Sequence, residues 1–355
     1  RNLLRMSVYQ IKYMDAVPDS AVCNEAVKLA KRHKFAQLSG FVNGVIRNIA
    51  RNIDSVQFDT LSIQYSMPQW IVDRFVAAYG EKKAEEIFKA FHSKSTISIR
   101  TNLTRCTPDE LRVMLEAEGV TVTAVDELNY AFVISGFDYL NGLQSFRDGL
   151  FYVQDISSML VAQTAAPKKG DYVIDVCAAP GGKSTHIAEL LQGSGHVLAR
   201  DLTDNKVDMI EENIERHGLN NMSAEVWDAT VFDADSAGKA DILICDLPCS
   251  GLGVLGRKKD IRYKMTPESV DELTALQRQI LDTVHTYVKP NGVLVYSTCT
   301  IDEAENEDNV RWFIEKHPEF ELDKSFAEGT GMKQILPGEH GSDGFFIARF
   351  IKSKL

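Results

Sequence analysis

From about residue 150 to its end, the chain alternates between short apolar runs and longer segments with helical spacing. This alternation is typical of α/β folds, in which parallel strands build a central sheet and helices cover its faces. Because parallel strands need a crossover between them, few other architectures fit this order. We therefore predict an α/β, Rossmann-like, doubly wound domain over residues 150–355. The predicted strands are Tyr172–Val176, His196–Ala199, Ser223–Trp227, Asp241–Cys245, Val293–Tyr296 and Phe345–Ile351, and the predicted helices are Lys183–Leu191, Asn205–His217, Pro267–Val288 and Asn306–Lys316.

Residues 1–149 lack this alternation and divide into two further predicted domains. Residues 1–60 contain three segments with helical spacing and are predicted to form a helical domain. Residues 61–149 mix helical and strand-like segments, which indicates a small α+β domain. The predicted helices of both regions are Leu3–Tyr13, Ala21–His33, Gly40–Arg51, Gln69–Tyr79, Lys82–Phe91 and one opened by Thr107 and Pro108, and the predicted strands are Thr96–Arg100, Val120–Val125 and Ala131–Ile134.

Charge is distributed unevenly between these regions. The whole chain has a formal net charge of −11, but residues 1–105 hold 16 lysines and arginines against 9 acidic residues. A basic amino-terminal third favours a nucleic-acid partner, although ordinary variation of a protein surface explains it equally well. Arg47 and Arg51 share a face of a predicted helix, and Arg100 and Asn102 follow a predicted strand. We predict these four residues as RNA contacts; the alternative for the helix is an edge that only faces water.

Several classes of protein are disfavoured by what the sequence lacks. It has no run of about 18 apolar residues that would suit a membrane span, and no visible signal peptide. Its six cysteines form no C-x-x-C pair, which argues against a zinc ribbon or a disulfide framework and for a reducing compartment. We therefore expect a monomeric, cytoplasmic protein without a membrane partner or a bound metal.

A glycine-containing turn, Asp175–Ser184, joins the first strand of the α/β region to a helix. Small residues such as Gly181 and Gly182 let the backbone approach a ligand closely, and the amino terminus of the helix favours a carboxylate or phosphate. The glycine spacing matches neither the G-x-G-x-x-G fingerprint nor the P-loop. The turn therefore indicates a ligand site of another kind.

Two acidic residues follow the next two strands. Asp201 is placed to bind ribose hydroxyls, and Asp228 is placed to bind an adenine amino group. Either residue alone is more often a helix cap. Together with the glycine turn they favour an adenosine-bearing cofactor. S-adenosylmethionine fits best, because its ribose and its amino-acid carboxylate match an acid and a helix amino terminus.

Two further strands each end in a segment that carries a cysteine. Cys249 lies in the turn Asp246–Gly251, and Cys299 lies in Ser297–Thr300. Carbon 5 of cytosine is a poor nucleophile, but a thiolate added to carbon 6 makes an enamine that can take a methyl group at carbon 5. Two cysteines and an acid that binds the cytosine edge suffice for this reaction. A single cysteine is more often an inert buried residue.

The other four cysteines are predicted to be structural. We assign this role to Cys23, Cys106 and Cys245, and we expect Cys177 to pack in the cofactor turn. Which of the remaining two attacks the base is open from the residues alone. DNA cytosine methyltransferases attack with the cysteine of a Pro-Cys motif, and by that analogy Cys249 would be the nucleophile.

The turns at Asp175–Ser184, Asp246–Gly251 and Ser297–Thr300 together resemble the Sun/Nol1/Nop2 family of RNA cytosine-C5 methyltransferases. Residues Asn24–Val27 and Gly40–Val45 resemble the later part of the NusB-like helical RNA-binding domain. The first helices of that domain are absent, so we expect the chain to begin inside it, as a processed or truncated product would. The resemblance implies a methyltransferase domain that uses S-adenosylmethionine to modify small-subunit ribosomal RNA, preceded by a partial NusB-like domain.

The resemblance also implies a role for each motif residue. Cys299 is the implied nucleophile, and Cys249 is the residue implied to promote product release. Asp246 and Lys183 would face the target base, and Arg257 lies in a loop implied to contact RNA. The residues expected to contact or border the methyl donor are Cys177, Ala178, Ala179, Pro180, Gly181, Gly182, Lys183, Asp201, Asp228 and Asp246.

Three other functions compete with this interpretation. One is a non-catalytic RNA-binding or antitermination factor built on the NusB-like segment, which the intact acid and cysteine motifs disfavour. Another is a methyltransferase that acts on a different RNA. The third is a small-molecule or protein methyltransferase, which fold alone does not exclude; the paired cysteines argue against it.

Overall fold

The structure is a computed structural model that describes residues 1–93 and 96–354. The chain divides into two units, Arg1–Ser66 and Met67–Leu355. The boundaries predicted at residues 60 and 149 remain predictions. No helix among the described residues has both the length and the apolar character needed to span a bilayer.

The first unit is helical, as predicted. Its small core contains Val22, Ala26, Val42 and Ile46, which recur at helical spacing on two adjacent helices. Arg47 and Arg51 lie on the exposed side of the third helix. The helices are α1 (Asn2–Tyr13), α2 (Asp19–Arg32), α3 (Ser39–Asn52) and α4 (Leu61–Gln64).

The second unit begins with two helices and a small antiparallel sheet. The strands of this sheet lie in the order β2-β3-β1-β4. Helix α7 packs on one face, and it starts with a capping box between Thr107 and Glu110 followed by Pro108, as the sequence predicts. The elements are α5 (Gln69–Tyr79), α6 (Glu81–His92), β1 (Ile97–Thr101), α7 (Pro108–Ala117), β2 (Thr121–Ala124), β3 (Ala131–Ser135), α8 (Gln144–Arg147) and β4 (Phe151–Val153).

A larger, mostly parallel sheet follows, and it confirms the doubly wound fold. Its order is β10-β12-β9-β8-β5-β6-β7, with β11 paired to β12. Strands β5 to β9 are parallel, whereas β12 runs antiparallel to β9. The strands are β5 (Tyr172–Asp175), β6 (His196–Asp201), β7 (Met222–Val226), β8 (Ala240–Asp246), β9 (Val288–Thr298), β10 (Phe320–Leu322), β11 (Met332–Ile335) and β12 (Phe345–Lys352), and the helices are α9 (Ile156–Ala165), α10 (Gly182–Leu190), α11 (Asp204–His217), α12 (Ile261–Lys264), α13 (Pro267–Val284) and α14 (Glu307–Lys316).

Burial on both faces of this sheet explains its near-continuous apolar strands. Ile242 and Ile244 of β8 face one hydrophobic cluster, and Leu243 and Cys245 face the other. The predicted helix Pro267–Val288 is shorter than expected. It ends at Val284, because the chain then turns and enters β9 at Val288.

The prediction that Arg100 and Asn102 contact RNA is wrong, because both side chains are fully buried. The Arg100 guanidinium pairs with Glu189 and donates to Gln154 Oε1 at 2.9 Å. The Asn102 amide donates to the carbonyl oxygens of Gly149 and His217, at 2.9 and 3.2 Å. These bonds join the end of β1 to α10 and α11 of the large sheet. Buried polar groups require such partners, so both residues hold two layers of the second unit together.

Candidate active site

The topological switch point of the large sheet lies between β5 and β8. From β5 the chain builds outward through β6 and β7, and from β8 it builds outward through β9 and β12. Ligands of open α/β sheets bind beyond the carboxyl ends of the strands at such a point. A cavity of about 290 Å³ opens there. Its lining includes Cys177, Ala179, Asp201, Asp228, Asp246, Cys249 and Cys299.

The glycine turn forms one side of this cavity. Gly181 has a φ of +102°, a conformation that strongly favours glycine. A side chain at Gly182 would place its Cβ 3.2 Å from the Tyr152 ring. Cys177 and Ala179 line the cavity, whereas Ala178, Pro180, Gly181 and Gly182 shape the turn behind them. The turn leads directly into α10, so it presents a helix amino terminus next to the cavity.

Asp201 is buried, and both of its carboxylate oxygens have protein partners. Oδ2 accepts a hydrogen bond from the Ala179 backbone at 2.9 Å. Oδ1 accepts bonds from the Leu202 backbone at 2.7 Å and from Lys206 Nζ at 2.8 Å. The carboxylate therefore fixes the glycine turn to the end of β6 as well as lining the cavity.

Asp228, which follows β7, is more exposed and also lines the cavity. Its Oδ1 accepts bonds from the backbone and hydroxyl of Thr230, at 2.9 and 2.7 Å. Apolar side chains in the cavity lining include Leu202, Trp227, Leu276 and Ile280. Apolar walls with a few convergent acceptors suit a ligand with a flat ring and polar edges, such as adenosine.

Lys183 and Asp246 form an ion pair, with 2.6 Å between Nζ and Oδ2. Ser297 donates a hydrogen bond to the other oxygen of Asp246 at 2.7 Å. Burial alone would lower the pKa of Lys183, but the attraction of Asp246 outweighs it and raises this pKa. Burial raises the pKa of the neighbouring Asp175 to about 7. The Lys183–Asp246 pair thus supplies an ammonium donor and a carboxylate acceptor side by side.

The two candidate cysteines meet in the same cavity, with 3.3 Å between their sulfur atoms. The cause is strand register. Strands β8 and β9 are adjacent and parallel, and Asp246 lies opposite Ser297. Cys249 follows three residues after the first of these and Cys299 two residues after the second, so both thiols emerge at the same edge.

Their electrostatic environments differ. The hydrogen bond from the Cys249 thiol lowers the pKa of Cys299, and Lys183 and Lys258 act in the same direction against burial. The same hydrogen bond, together with burial, raises the pKa of Cys249 well above its usual value. The two thiols titrate as a pair. Within the pair the thiol of Cys299 is the more acidic one, and a thiolate is the nucleophilic form of cysteine.

The remaining cysteines offer no comparable site. Cys23 and Cys245 are buried. Burial is the main cause that raises the pKa values of Cys106, Cys177 and Cys245. A raised pKa disfavours the reactive thiolate in those three residues, and the structural roles assigned to the four cysteines stay predictions.

Arg257 is about one third exposed and is held by two acids. Its Nη2 lies 2.9 Å from Asp155, and its Nε lies 2.7 Å from Asp343. Burial and the neighbouring Asp155 raise the pKa of Asp343 to about 6. The pairing of Arg257 with Asp155 and Asp343 joins distant segments of the chain and was not predicted. The proposed RNA role of Arg257 stays a prediction.

One group of described residues has spacing suited to a metal ion. His285, His317 and Glu319 each place a ligand atom within 4.8 Å of the others. The two imidazole rings lie 3.9 Å apart between centroids, tilted by 39°. None of the three residues lines the cavity described above. The expectation that no metal is bound stays a prediction.

Family models match three consecutive parts of the chain. The model described as 16S rRNA methyltransferase RsmB/F matches residues 162–351. The NusB family model matches residues 1–51. A ferredoxin-like domain of RsmF/B-like methyltransferases matches residues 67–137.

Individual relatives span the whole chain. It is 38% identical to a Bacillus subtilis protein named "Probable ribosomal RNA small subunit methyltransferase B" and 31% identical to the ribosomal RNA small subunit methyltransferase B of Shewanella oneidensis. Each match covers 99% of this chain and 82% of the relative.

Two solved structures have the same fold. The protein PH0851 superposes with a TM-score of 0.82 at 28% identity, covering 99% of this chain and 81% of that one. NSun6 from Pyrococcus horikoshii, crystallised with SFG, superposes with a TM-score of 0.74 at 25% identity, covering 81% of this chain and 99% of that one.

Proposed function

The chain belongs to the RsmB/F family of 16S rRNA methyltransferases, and we propose that it methylates carbon 5 of a cytosine in small-subunit ribosomal RNA. The methyl donor is S-adenosylmethionine, and the reaction passes through a covalent bond between Cys299 and the base. One observation carries this proposal: two cysteines from paired strand ends lie 3.3 Å apart on the wall of the candidate cofactor cavity.

The cavity fits S-adenosylmethionine in its donor set and its shape. Asp201 and Asp228 supply carboxylates to the cavity lining, apolar side chains supply much of the rest, and α10 begins next to it. SFG, present in the related NSun6 crystal, is an analogue of this molecule. When bound, S-adenosylmethionine supplies an electrophilic methyl group. The residues proposed to hold it are Cys177, Ala178, Ala179, Pro180, Gly181, Gly182, Lys183, Asp201, Asp228 and Asp246.

The chain's own residues activate the base. A target cytosine must leave its stack to reach the cavity. The Lys183–Asp246 pair holds its polar edge, because it offers a donor and an acceptor 2.6 Å apart. The Cys299 thiolate then adds to carbon 6, and the electron pair of the carbon 5–carbon 6 double bond makes carbon 5 nucleophilic. Carbon 5 would then bond to the methyl carbon as the bond between that carbon and the sulfonium sulfur of the donor breaks, with the electron pair of the broken bond going to the sulfur.

Release reverses the addition. A base removes the proton from carbon 5, the double bond re-forms, and Cys299 leaves as a thiolate. Cys249 promotes this step, since its sulfur is 3.3 Å from the leaving sulfur and its thiol can donate a hydrogen bond to the departing thiolate. The opposite assignment, with Cys249 as the nucleophile, would require the less acidic thiol of the pair to ionise first.

The site of methylation is tested with RNA that carries tritium at carbon 5 of cytosine. Because carbon 5 must lose its hydrogen when it gains a methyl group, we expect tritium to enter water in a one-to-one ratio with methyl transfer. The substrate is unmodified small-subunit ribosomal RNA, and large-subunit RNA serves as the control. Methyl transfer without tritium release would place the modification elsewhere, and equal activity on both RNAs would remove the substrate assignment.

RNA binding by the first unit is tested through its salt dependence. We expect the double substitution Arg47→Ala and Arg51→Ala to weaken RNA binding and to reduce the slope of log affinity against log salt concentration by about 1.4 to 1.8, since each phosphate contact contributes about 0.7 to 0.9. Both side chains are exposed on one face of α3. The matched control is Arg112→Ala, another exposed helical arginine. An unchanged affinity and slope in the double variant would assign these arginines to the solvated surface.

A further inference from the structure

Glu305 is a fully buried carboxylate that plays no part in the proposed chemistry. Its Oε1 accepts hydrogen bonds from the backbone N–H of Ser250 at 2.9 Å and from Gln277 Nε2 at 2.9 Å. Its Oε2 accepts a bond from the Ser250 hydroxyl. Ser250 directly follows Cys249, so the Glu305 carboxylate binds the residue next to this cysteine.

The residue on the other side of Cys249 is held by the same network. Gln277 of α13 donates to the carbonyl oxygen of Pro248 at 2.8 Å and to Glu305 at 2.9 Å. Gln277 is itself fully buried, and its Oε1 accepts a bond from Asn309 at 2.7 Å. The turn that carries Cys249 is therefore fixed at both of its flanking residues.

Asn306 holds Cys299 in the same manner. Its Oδ1 accepts a hydrogen bond from the Thr298 hydroxyl at 2.6 Å, and its Nδ2 donates to the Thr300 carbonyl oxygen at 3.1 Å. Thr298 and Thr300 are the two neighbours of Cys299. Asn306 is also fully buried. The two cysteine turns are joined directly as well, because the hydroxyls of Ser250 and Thr300 lie 2.9 Å apart.

We propose that Glu305 and Asn306 are positioning residues that set the distance between the two reactive thiols, Glu305 through Cys249 and Asn306 through Cys299. This role rests on the proposed function, since it matters only if both thiols act on one base. Glu305 and Asn306 are adjacent in the turn before α14, and together they hold the neighbours of both cysteines. Small displacements of reacting groups are costly, so a fixed geometry favours turnover.

Burial of an acid at this point needs a compensating gain, because an apolar side chain would avoid the desolvation cost. Burial raises the pKa of Glu305, while the bonds from Ser250 and Gln277 oppose that rise. Three donors converge on one carboxylate here, and an apolar residue would leave the buried Ser250 N–H without this acceptor. Two of these donors belong to Ser250, next to Cys249, and the third, Gln277, also donates to the carbonyl oxygen of Pro248 on the other side of Cys249.

The role of Glu305 is tested with Glu305→Gln, which keeps the side-chain volume but replaces one acceptor by a donor. We expect the Cys249 turn to loosen while Asn306 still holds Cys299. Attack on the base then continues and release slows, so that turnover falls by roughly 10- to 100-fold and a protein–RNA adduct accumulates on denaturing gels. The matched control is Glu303→Gln, the same change two residues away at an exposed position, which should retain turnover and show no adduct.

A double-mutant cycle separates positioning from general damage. In a Cys249→Ala background, Glu305→Gln should add no further adduct, because the group that it positions is already gone. Equal losses of adduct formation and turnover in the single variant, or additive effects in the double variant, would overturn the proposal. Thermal unfolding monitors the fold; if Glu305→Gln does not fold, Ser250→Ala removes one partner of the same carboxylate and should give the same accumulation. If Cys249→Ala alone forms no adduct, the proposed methylation chemistry fails, and the positioning role fails with it.

Discussion

We expect Cys299→Ala to abolish methyl transfer, with a rate loss of about 10⁴-fold or more, because the variant lacks the proposed covalent nucleophile. The reason is that carbon 5 of cytosine becomes reactive only after a thiolate adds to carbon 6. Cys299 is the thiol whose pKa is lowered, by its bond from Cys249 and by Lys183 and Lys258. The rate is measured as transfer of labelled methyl groups to unmodified small-subunit ribosomal RNA. Affinity for S-adenosylmethionine should change little, because the acids proposed to bind the nucleoside are untouched.

The control for this variant is Cys106→Ala. Cys106 is partly buried between β1 and α7, packs against the core of the small sheet and lies outside the cavity; its thiol donates to the Leu150 carbonyl oxygen. It should keep methyl transfer near the level of the unmodified enzyme. Substantial turnover by Cys299→Ala would contradict the assigned nucleophile.

We expect Cys249→Ala to lower turnover without preventing attack on the base. It should trap a covalent complex between protein and RNA that survives denaturing gel electrophoresis. Cys299 can still attack in this variant, but the thiol 3.3 Å from it, which promotes release, is missing. Turnover therefore falls while adduct rises, and the trapped fraction should grow with time in the presence of S-adenosylmethionine.

The pair of cysteine variants also distinguishes the two possible assignments. If Cys299→Ala traps RNA and Cys249→Ala does not, the roles of the two thiols are reversed. The double variant should form no adduct under either assignment. An adduct in the double variant would mean that a third residue attacks the base.

The fold could be predicted from the sequence because local and global signals agree along the α/β region. The run Asp241–Cys245 is apolar on both faces of a strand, and the structure buries it between two clusters. The turn at Gly181 needs a backbone conformation with positive φ, and a glycine at this position indicates such a conformation. Helix α7 carries its capping signal in Thr107, Pro108 and Glu110. These features depend on neighbours within a few residues.

Features that depend on contacts between residues far apart in the sequence were harder to predict. The sequence places Asp246 and Ser297 at the ends of two strands, but only the strand order and register bring Cys249 and Cys299 to 3.3 Å. Glu305 lies in a run of acidic residues that would suit a solvated turn, and its burial follows from partners more than 25 residues away.

Arg100 was predicted to lie at the surface, and distant partners bury it instead. A charged residue at a strand end in a basic region favours a surface contact, yet its partners Gln154, Thr185 and Glu189 come from segments more than 50 residues away. Hydrogen bonds from the guanidinium to those partners offset the cost of burying it. The sequence around Arg100 does not indicate these partners. The charge pattern therefore did not indicate which basic side chains are exposed; that this region binds RNA stays a prediction.

The most direct test of the account is to identify the residue that becomes bonded to the base. RNA with 5-fluorocytosine at the target position should form a stable adduct, because carbon 5 then carries fluorine in place of the proton that must be removed before release. After nuclease and protease digestion, mass spectrometry locates the modified cysteine. We predict that the nucleotide is attached to the peptide containing Cys299. Attachment to the peptide containing Cys249 would contradict the proposed mechanism.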